Sequence, residues 1–198
     1  MKLNFYPKLG SYALALTFLF TSFAANAQDK VMSTSDALFH KGTKLIGLAA
    51  GVSIDNFANQ LKPHLIPVLV YDQGFFDKVG IGNIGIGGMV TCKFMRRPHD
   101  WAGGYKQYEN NFYLALRGTY HFTGLKLNDS KFDPYAGIML GVKISHSGDT
   151  WYKYTQSNAY IAKGLFVGAR YMLDERFSAF SELGYNISFV SIGIMANL

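Results

Sequence analysis

Side-chain catalysis needs a nucleophile, a base and a group that orients the base, all within hydrogen-bond reach. In this chain the candidates are dispersed. His40, His64, His99, His121 and His146 show no metal-ligand spacing, and His121 joins a Ser or an Asp into a triad only on paper. The sequence therefore reads as non-enzymatic, with no catalytic residue, no metal and no cofactor. Cys92 is the only cysteine, so no intramolecular disulfide forms, and its neighbours in GGMVTCKF alternate as a strand would. It reads as a small apolar residue on a strand face. GIGNIGIGG looks superficially like a phosphate-binding loop, but it lies inside a strand pattern with no helix after it.

The charges inside apolar patterns are more informative. NFYLALRGTYHF (111–122) carries Arg117 near its middle, and a guanidinium is costly to bury alone. Phe112, Leu114, Leu116, Gly118, Tyr120 and Phe122 share one face, whereas Asn111, Tyr113, Ala115, Arg117, Thr119 and His121 share the other. Lys93, Lys143, Arg170 and Glu182 fall on the same kind of polar beat in other runs. If those faces converge, Lys93, Arg117, Lys143, Arg170 and Glu182 enter one interior. We expect Glu182 to accept from Arg170 or Arg117 there, with Tyr113, Tyr135, Asn83 and water satisfying the remainder.

The elements that would bring them together are eight runs of period two: 43–53, 61–72, 80–94, 109–122, 132–146, 158–172, 176–186 and 188–198. The second is the weakest, because Pro63 and Pro67 cannot donate to a strand ladder. Connectors are expected at 54–60, 95–108, 147–157 and 186–188 on one side, and at 73–79, 123–131 and 173–175 on the other. This predicts an all-β fold, an eight-stranded antiparallel up-and-down transmembrane β-barrel with both termini on one side.

Alternation does not itself say which face is inside, and a soluble lipocalin-like barrel is the alternative. Three features favour a membrane barrel. The polar faces are rich in glycine rather than in Lys, Glu and Asp. Aromatic residues sit near strand ends, as with Tyr120, Phe122, Tyr171, Phe177 and Tyr185. The third is the first stretch, MKLNFYPKLGSYALALTFLFTSFAANAQDK, which has basic residues, an apolar run and an A-x-A site. It reads as a signal peptide over 1–27, cleaved between Ala27 and Gln28.

The 198 − 27 = 171 remaining residues suit one domain, a periplasmic lead-in at 28–42 with one helical turn and a barrel at 43–198. Loss of Lys2 and Lys8 leaves 17 − 13 = +4 of formal charge. Export and the absence of a nucleic-acid motif argue against a nucleic-acid partner. Of the whole chain 49% is hydrophobic, 16% aromatic and 16% charged, a balance that suits apolar residues hidden by alternation.

The phrases RGTYHF, DPYAGIMLG, VGARYML and FSELGY are similar to those of the small outer-membrane β-barrels of OmpX/OmpA-transmembrane type, over about residues 43–198. That resemblance implies a Gram-negative outer-membrane location and, through the final run FVSIGIMANL, recognition by the barrel-insertion machinery. Its last residue is Leu198 where the family usually has an aromatic. It says little about activity, since such barrels include adhesins, structural proteins, channels and lipid-modifying enzymes.

The reading is a monomeric, non-catalytic barrel with an envelope-structural or surface-binding role and a filled lumen; a narrow pore and a lipid-modifying enzyme are the alternatives. MRRPHDWAGGYKQY, with Arg96, Arg97, His99, Asp100 and Trp101, is the candidate recognition loop. Arg96, Arg97, Lys106, Lys153 and Lys163 are placed to meet lipid or lipopolysaccharide phosphates, Lys163 by snorkelling from near the outer end of its strand.

Overall fold

Period-two alternation leaves each strand with one face that cannot be exposed to the same medium as the other, and closing the sheet on itself separates the two. In the computed structural model, which describes residues 38–52, 65–98, 106–125, 130–185 and 187–198, the chain does this in a single ring. The strands are β1 (Lys44–Val52), β2 (Ile66–Val79), β3 (Gly82–Pro98), β4 (Lys106–His121), β5 (Phe132–Asp149), β6 (Tyr154–Met172), β7 (Phe177–Tyr185) and β8 (Val190–Asn197). Each pairs antiparallel with its sequence neighbour, and β8 closes on β1 from Leu45↔Asn197 to Val52↔Val190. Closure removes the sheet edges that a flat sheet would expose.

The side-chain distribution is that of a membrane barrel. Leu48, Leu114, Leu116, Leu140, Ile161, Leu165 and Ile192 are exposed on the outside, while Asp72, Arg117, His121, Asp133, Arg170 and Glu182 are buried inside. From Phe112 on β4 to Phe122 just past its end, at about 3.4 Å per residue and a tilt of about 40°, the outward beat covers roughly 26 Å, the height of a bilayer-spanning apolar band. Phe75, Phe76, Tyr171 and Phe177 edge that band at the end where the strands next to the termini begin and finish. We call this the termini end and its opposite the hairpin end. No helix long and apolar enough to cross a membrane occurs among the described residues, and the fold crosses with strands instead. The class is therefore an eight-stranded transmembrane β-barrel.

Several boundaries differ from the sequence expectation. The connector expected at 73–79 is strand: β2 runs to Val79, with register shifts between Gly74 and Phe76 and between Phe76 and Val79, and the turn is made at Gly80, whose φ is 65°. Bulges absorb the irregularity that made the stretch look like a turn. Pro67 is the second residue of β2 and pairs with Ala50, whereas the β2–β3 pairing begins one residue later, at Val68↔Thr91. The proline thus stands at the strand start, where a missing N–H is tolerated. Pro63 lies outside the described residues.

At the hairpin end β3 and β4 stay paired to Pro98↔Lys106, and β5 and β6 to Asp149↔Tyr154. The expected loops 95–108 and 147–157 are correspondingly shorter. Above Thr91 on β3 and Leu165 on β6 the described pairing with β2 and β7 stops, so β3–β6 continue as a four-stranded projection. Its hairpin turns at 150–153, where Asp149 Oδ1 accepts from the N–H groups of Trp151 (2.7 Å) and Tyr152 (3.2 Å). Of the lead-in, residues 38–42 are described and form bends and a turn, and the helical turn expected within 28–42 otherwise falls outside the described residues. Ala27 and Gln28 lie outside the described residues.

Candidate functional site

The interior of a barrel this small is filled by side chains, so a lumen charge must find its partner within the ring. Arg117, on the inward beat of β4, is 1% exposed. Its Nη2 donates to Glu182 Oε1 at 2.6 Å and its Nη1 to Oε2 at 3.4 Å, while Nε lies 3.0 Å from Asp72 Oδ1. The guanidinium therefore bridges β2 to β7 across the lumen. Tyr135 donates its hydroxyl to the same Glu182 oxygen at 2.9 Å, and the Phe166 ring centroid stands 4.3 Å from the Arg117 Cζ. One cation is thus enclosed by two carboxylates and an aromatic face, with Glu182 hydrogen-bonded to both Nη atoms and Asp72 held as a close charge contact to Nε.

Close packing needs room on the neighbouring strands, and glycine supplies it. A Cβ at Gly87 would strike the Tyr71 carbonyl and Asp72 Oδ1, and one at Gly168 would lie 2.5 Å from Cζ of the Tyr135 ring. The glycines of the polar faces are thus the space in which the larger lumen side chains meet.

Toward the termini end a second cluster forms. His121 Nδ1 donates to the Asp133 carboxylate at 2.9 Å, and Arg170 Nη2 reaches the same carboxylate at 2.8 Å. His121 stacks between Phe39, at 3.6 Å between ring centroids, and Tyr135, at 5.0 Å. An Asp–His pair looks like two members of a hydrolytic apparatus. However, His121 Nε2 is buried and makes no hydrogen bond among the described residues, so none of these presents a nucleophile to it.

Of the five lumen charges named from the sequence, Arg117 and Glu182 meet directly. Arg170 does not join them: it lies nearer the termini end and is held by Asp133, although β6 and β7 are joined by a short turn. The register explains this. Glu182 pairs with Gly168, whereas Arg170 pairs with Phe180, one inward step closer to the turn. Asn83 bonds the Phe39 carbonyl instead of the charge network, and Tyr113 lies beneath Lys93, whose Nζ is 5.1 Å from the ring centroid. Lys93 is buried nearer the hairpin end, and Lys143 makes a longer pair with Glu109, 3.5 Å, at a partly exposed position.

Asp72, Asp133 and His121 are the lumen residues that the sequence reading did not assign to the network. The signal was there for each: all three occupy inward beats of their strands, but Asp72 follows the proline-bearing start of β2 and Asp133 stands at the very beginning of β5.

Of the candidate recognition loop, Arg96 and Arg97 lie within β3, opposite Tyr108 and Gln107, rather than in a loop. Strand pairing continues past the apolar band because both faces of the projection are free to be polar. Arg96 is exposed; His99, Asp100 and Trp101 lie outside the described residues. Lys153 is exposed at the β5–β6 turn, with a φ of 52°. Lys163 is exposed on the outer face opposite Leu140, which places it within the apolar band rather than near the strand's outer end. No group of three or more His, Cys, Asp or Glu able to hold a metal occurs among the described residues.

No family model and no curated protein matches this sequence. Among solved structures, the chain is similar to Ail, the attachment invasion locus protein of Yersinia pestis, in complex with the heparin analogue sucrose octasulfate. That match has 11% identity, a TM-score of 0.43, and covers 78% of this chain and 93% of that one. A second structure of Ail matches at 13% identity and a TM-score of 0.41, covering 79% and 95%. A de novo designed transmembrane β-barrel matches at 16% identity and a TM-score of 0.42, covering 80% and 97%.

Proposed function

We propose that this protein is a monomeric, non-catalytic barrel of a Gram-negative outer membrane, with an envelope-structural or surface-binding role and a lumen closed to solutes. The observation that carries the reading is the Asp72–Arg117–Glu182 bridge, which spans the lumen with fully buried charges. A conducting pore needs a continuous wet path, whereas this arrangement fills the section with a paired guanidinium and aromatic rings. Contact with other molecules falls to the β3–β6 projection, which carries Arg96, Lys153, Trp151, Tyr152 and Tyr154 beyond the apolar band. Outer-membrane lipid surrounds the barrel in this reading, lipopolysaccharide phosphates are the natural partners of its basic residues, and the barrel-insertion machinery engages β8.

Fractionation with heat-modifiable gel mobility tests location. Recovery in the membrane fraction with a mobility shift on boiling is expected, and recovery as a soluble periplasmic protein without that shift would overturn the reading. Planar-bilayer recording tests closure: no discrete current steps are expected from the wild type. Steps that change with Glu182→Gln would replace the closed barrel by a narrow pore. An unchanged lipid profile in a deletion strain is expected if the protein is not a lipid-modifying enzyme.

A further inference from the structure

The segment before β1 is fastened at more points than a lead-in to a first strand requires. Phe39 is 0% exposed, with its ring stacked on His121 at an interplanar angle of 15° and the Arg170 guanidinium carbon 5.7 Å from its centroid. Asn83 Nδ2 donates to the Phe39 carbonyl at 2.6 Å, and Arg170 Nη2 to the Leu38 carbonyl at 3.2 Å. The Lys41 N–H donates to Asp77 Oδ1 at 2.6 Å and the Gly42 N–H to the Gly74 carbonyl at 3.0 Å. Strands β2, β3, β4 and β6 therefore all hold this short arm.

The groups that receive Phe39 are fixed by the barrel and not by the arm. His121 and Arg170 share Asp133, and Asn83 Oδ1 accepts from the Lys78 N–H at 2.9 Å. Such a pocket keeps its shape when its occupant leaves. It offers an imidazole face for stacking, a guanidinium for cation–π contact and two donors for consecutive backbone carbonyls, which is a recognition set for an aromatic residue on an extended peptide. Within the arm, the turn closed between His40 and Thr43 supplies its own bonds, and the rest of its hold comes from the barrel. Ordering it costs conformational entropy comparable with what a few hydrogen bonds and one buried ring return, so its seat is weak beside the strand ladder.

We propose that residues 38–43 are a tethered plug: Phe39 occupies an aromatic-binding pocket built by the barrel, closes the termini end of the lumen, and leaves that pocket reversibly while the barrel stays intact. The proposal concerns the arm and is independent of whether the barrel conducts.

Histidine modification by diethylpyrocarbonate, mapped by mass spectrometry on the full-length protein folded in detergent micelles, tests it. His121 should be slow to react in the wild type relative to His146 at the hairpin end. In Phe39→Ala it should react faster by about an order of magnitude, as expected for a site opened without global unfolding. Phe39→Trp, which restores an aromatic face, should return His121 to slow reaction. Asp77→Ala releases the Lys41 amide without touching the lumen and should give a smaller rise in the same direction, which keeps the test available if Phe39→Ala fails to fold. A His121 reactivity unchanged by both Phe39→Ala and Asp77→Ala, or a wild-type His121 as reactive as His146, would overturn the plug. So would a rise accompanied by loss of heat-modifiable mobility, because the barrel would then have opened with the arm.

Discussion

The two ends of the lumen use the same residue types to different effect. Toward the termini end, Arg117, Asp72 and Glu182 interlock across the barrel and His121, Asp133 and Arg170 pack beneath Phe39, all of them buried. Toward the hairpin end, Lys143 faces Glu109 at 3.5 Å with side chains 27% and 36% exposed. The difference is access to water. A buried charge that loses its partner keeps the full desolvation penalty, whereas an exposed one is re-solvated at little cost. The first region is therefore a lock whose parts depend on one another, and the second a pair whose members are nearly independent.

The largest expected effect comes from breaking the lock at its centre. Arg117→Met leaves Asp72 and Glu182 facing each other without a cation and should destabilise the barrel by about 3–5 kcal/mol, seen as a lower urea midpoint for loss of the folded gel band. A wild-type midpoint in that variant would mean that the two regions do not differ. Next comes the space in which the lock is built: Gly168→Ala forces a methyl against the Tyr135 ring and should cost about 1–3 kcal/mol in the same assay. Glu109→Gln probes the other region and should cost less than about 1 kcal/mol, diminishing further as salt is raised. An effect as large as that of Arg117→Met would erase the contrast.

The smallest effect belongs to the β6–β7 turn. Asp174 Oδ1 accepts from the N–H groups of Phe177 and Arg176, both at 2.7 Å, and these bonds hold its carboxyl below the usual carboxylate range. A pKa depressed on folding contributes stability above its unfolded value, which is lost as pH falls through the folded one. Asp174→Ala should therefore narrow the stability gap between neutral pH and the acid range slightly, as read from urea midpoints at both pH values. Most of the acid sensitivity should persist in that variant because other carboxylates remain.

How much of this was readable beforehand follows from the physics of each part. The facing of Arg117 was legible in NFYLALRGTYHF, because a two-residue period assigns every side chain to a side before any partner is known. The position of Arg170 along the lumen was not. Short sequence separation from Glu182 suggested a pair, but register set them one inward step apart and gave Arg170 to Asp133. The continuation of β3–β6 beyond the band was also hidden, since alternation fades where water bathes both faces. Phe39 had no period at all to announce it, and only the arrangement of His121, Asn83 and Arg170 from three different strands gives it a place.

The sequence by itself thus determined that there are two faces, which residues belong to each, and that eight such strands follow one another. Those are local properties, written into neighbours two residues apart. Only the tertiary structure decided which carboxylate holds which cation, how far β3–β6 continue past the apolar band and which side chains receive Phe39. Each of these depends on the stagger between strands distant in sequence, and a lumen this narrow turns a two-residue displacement into a different partner.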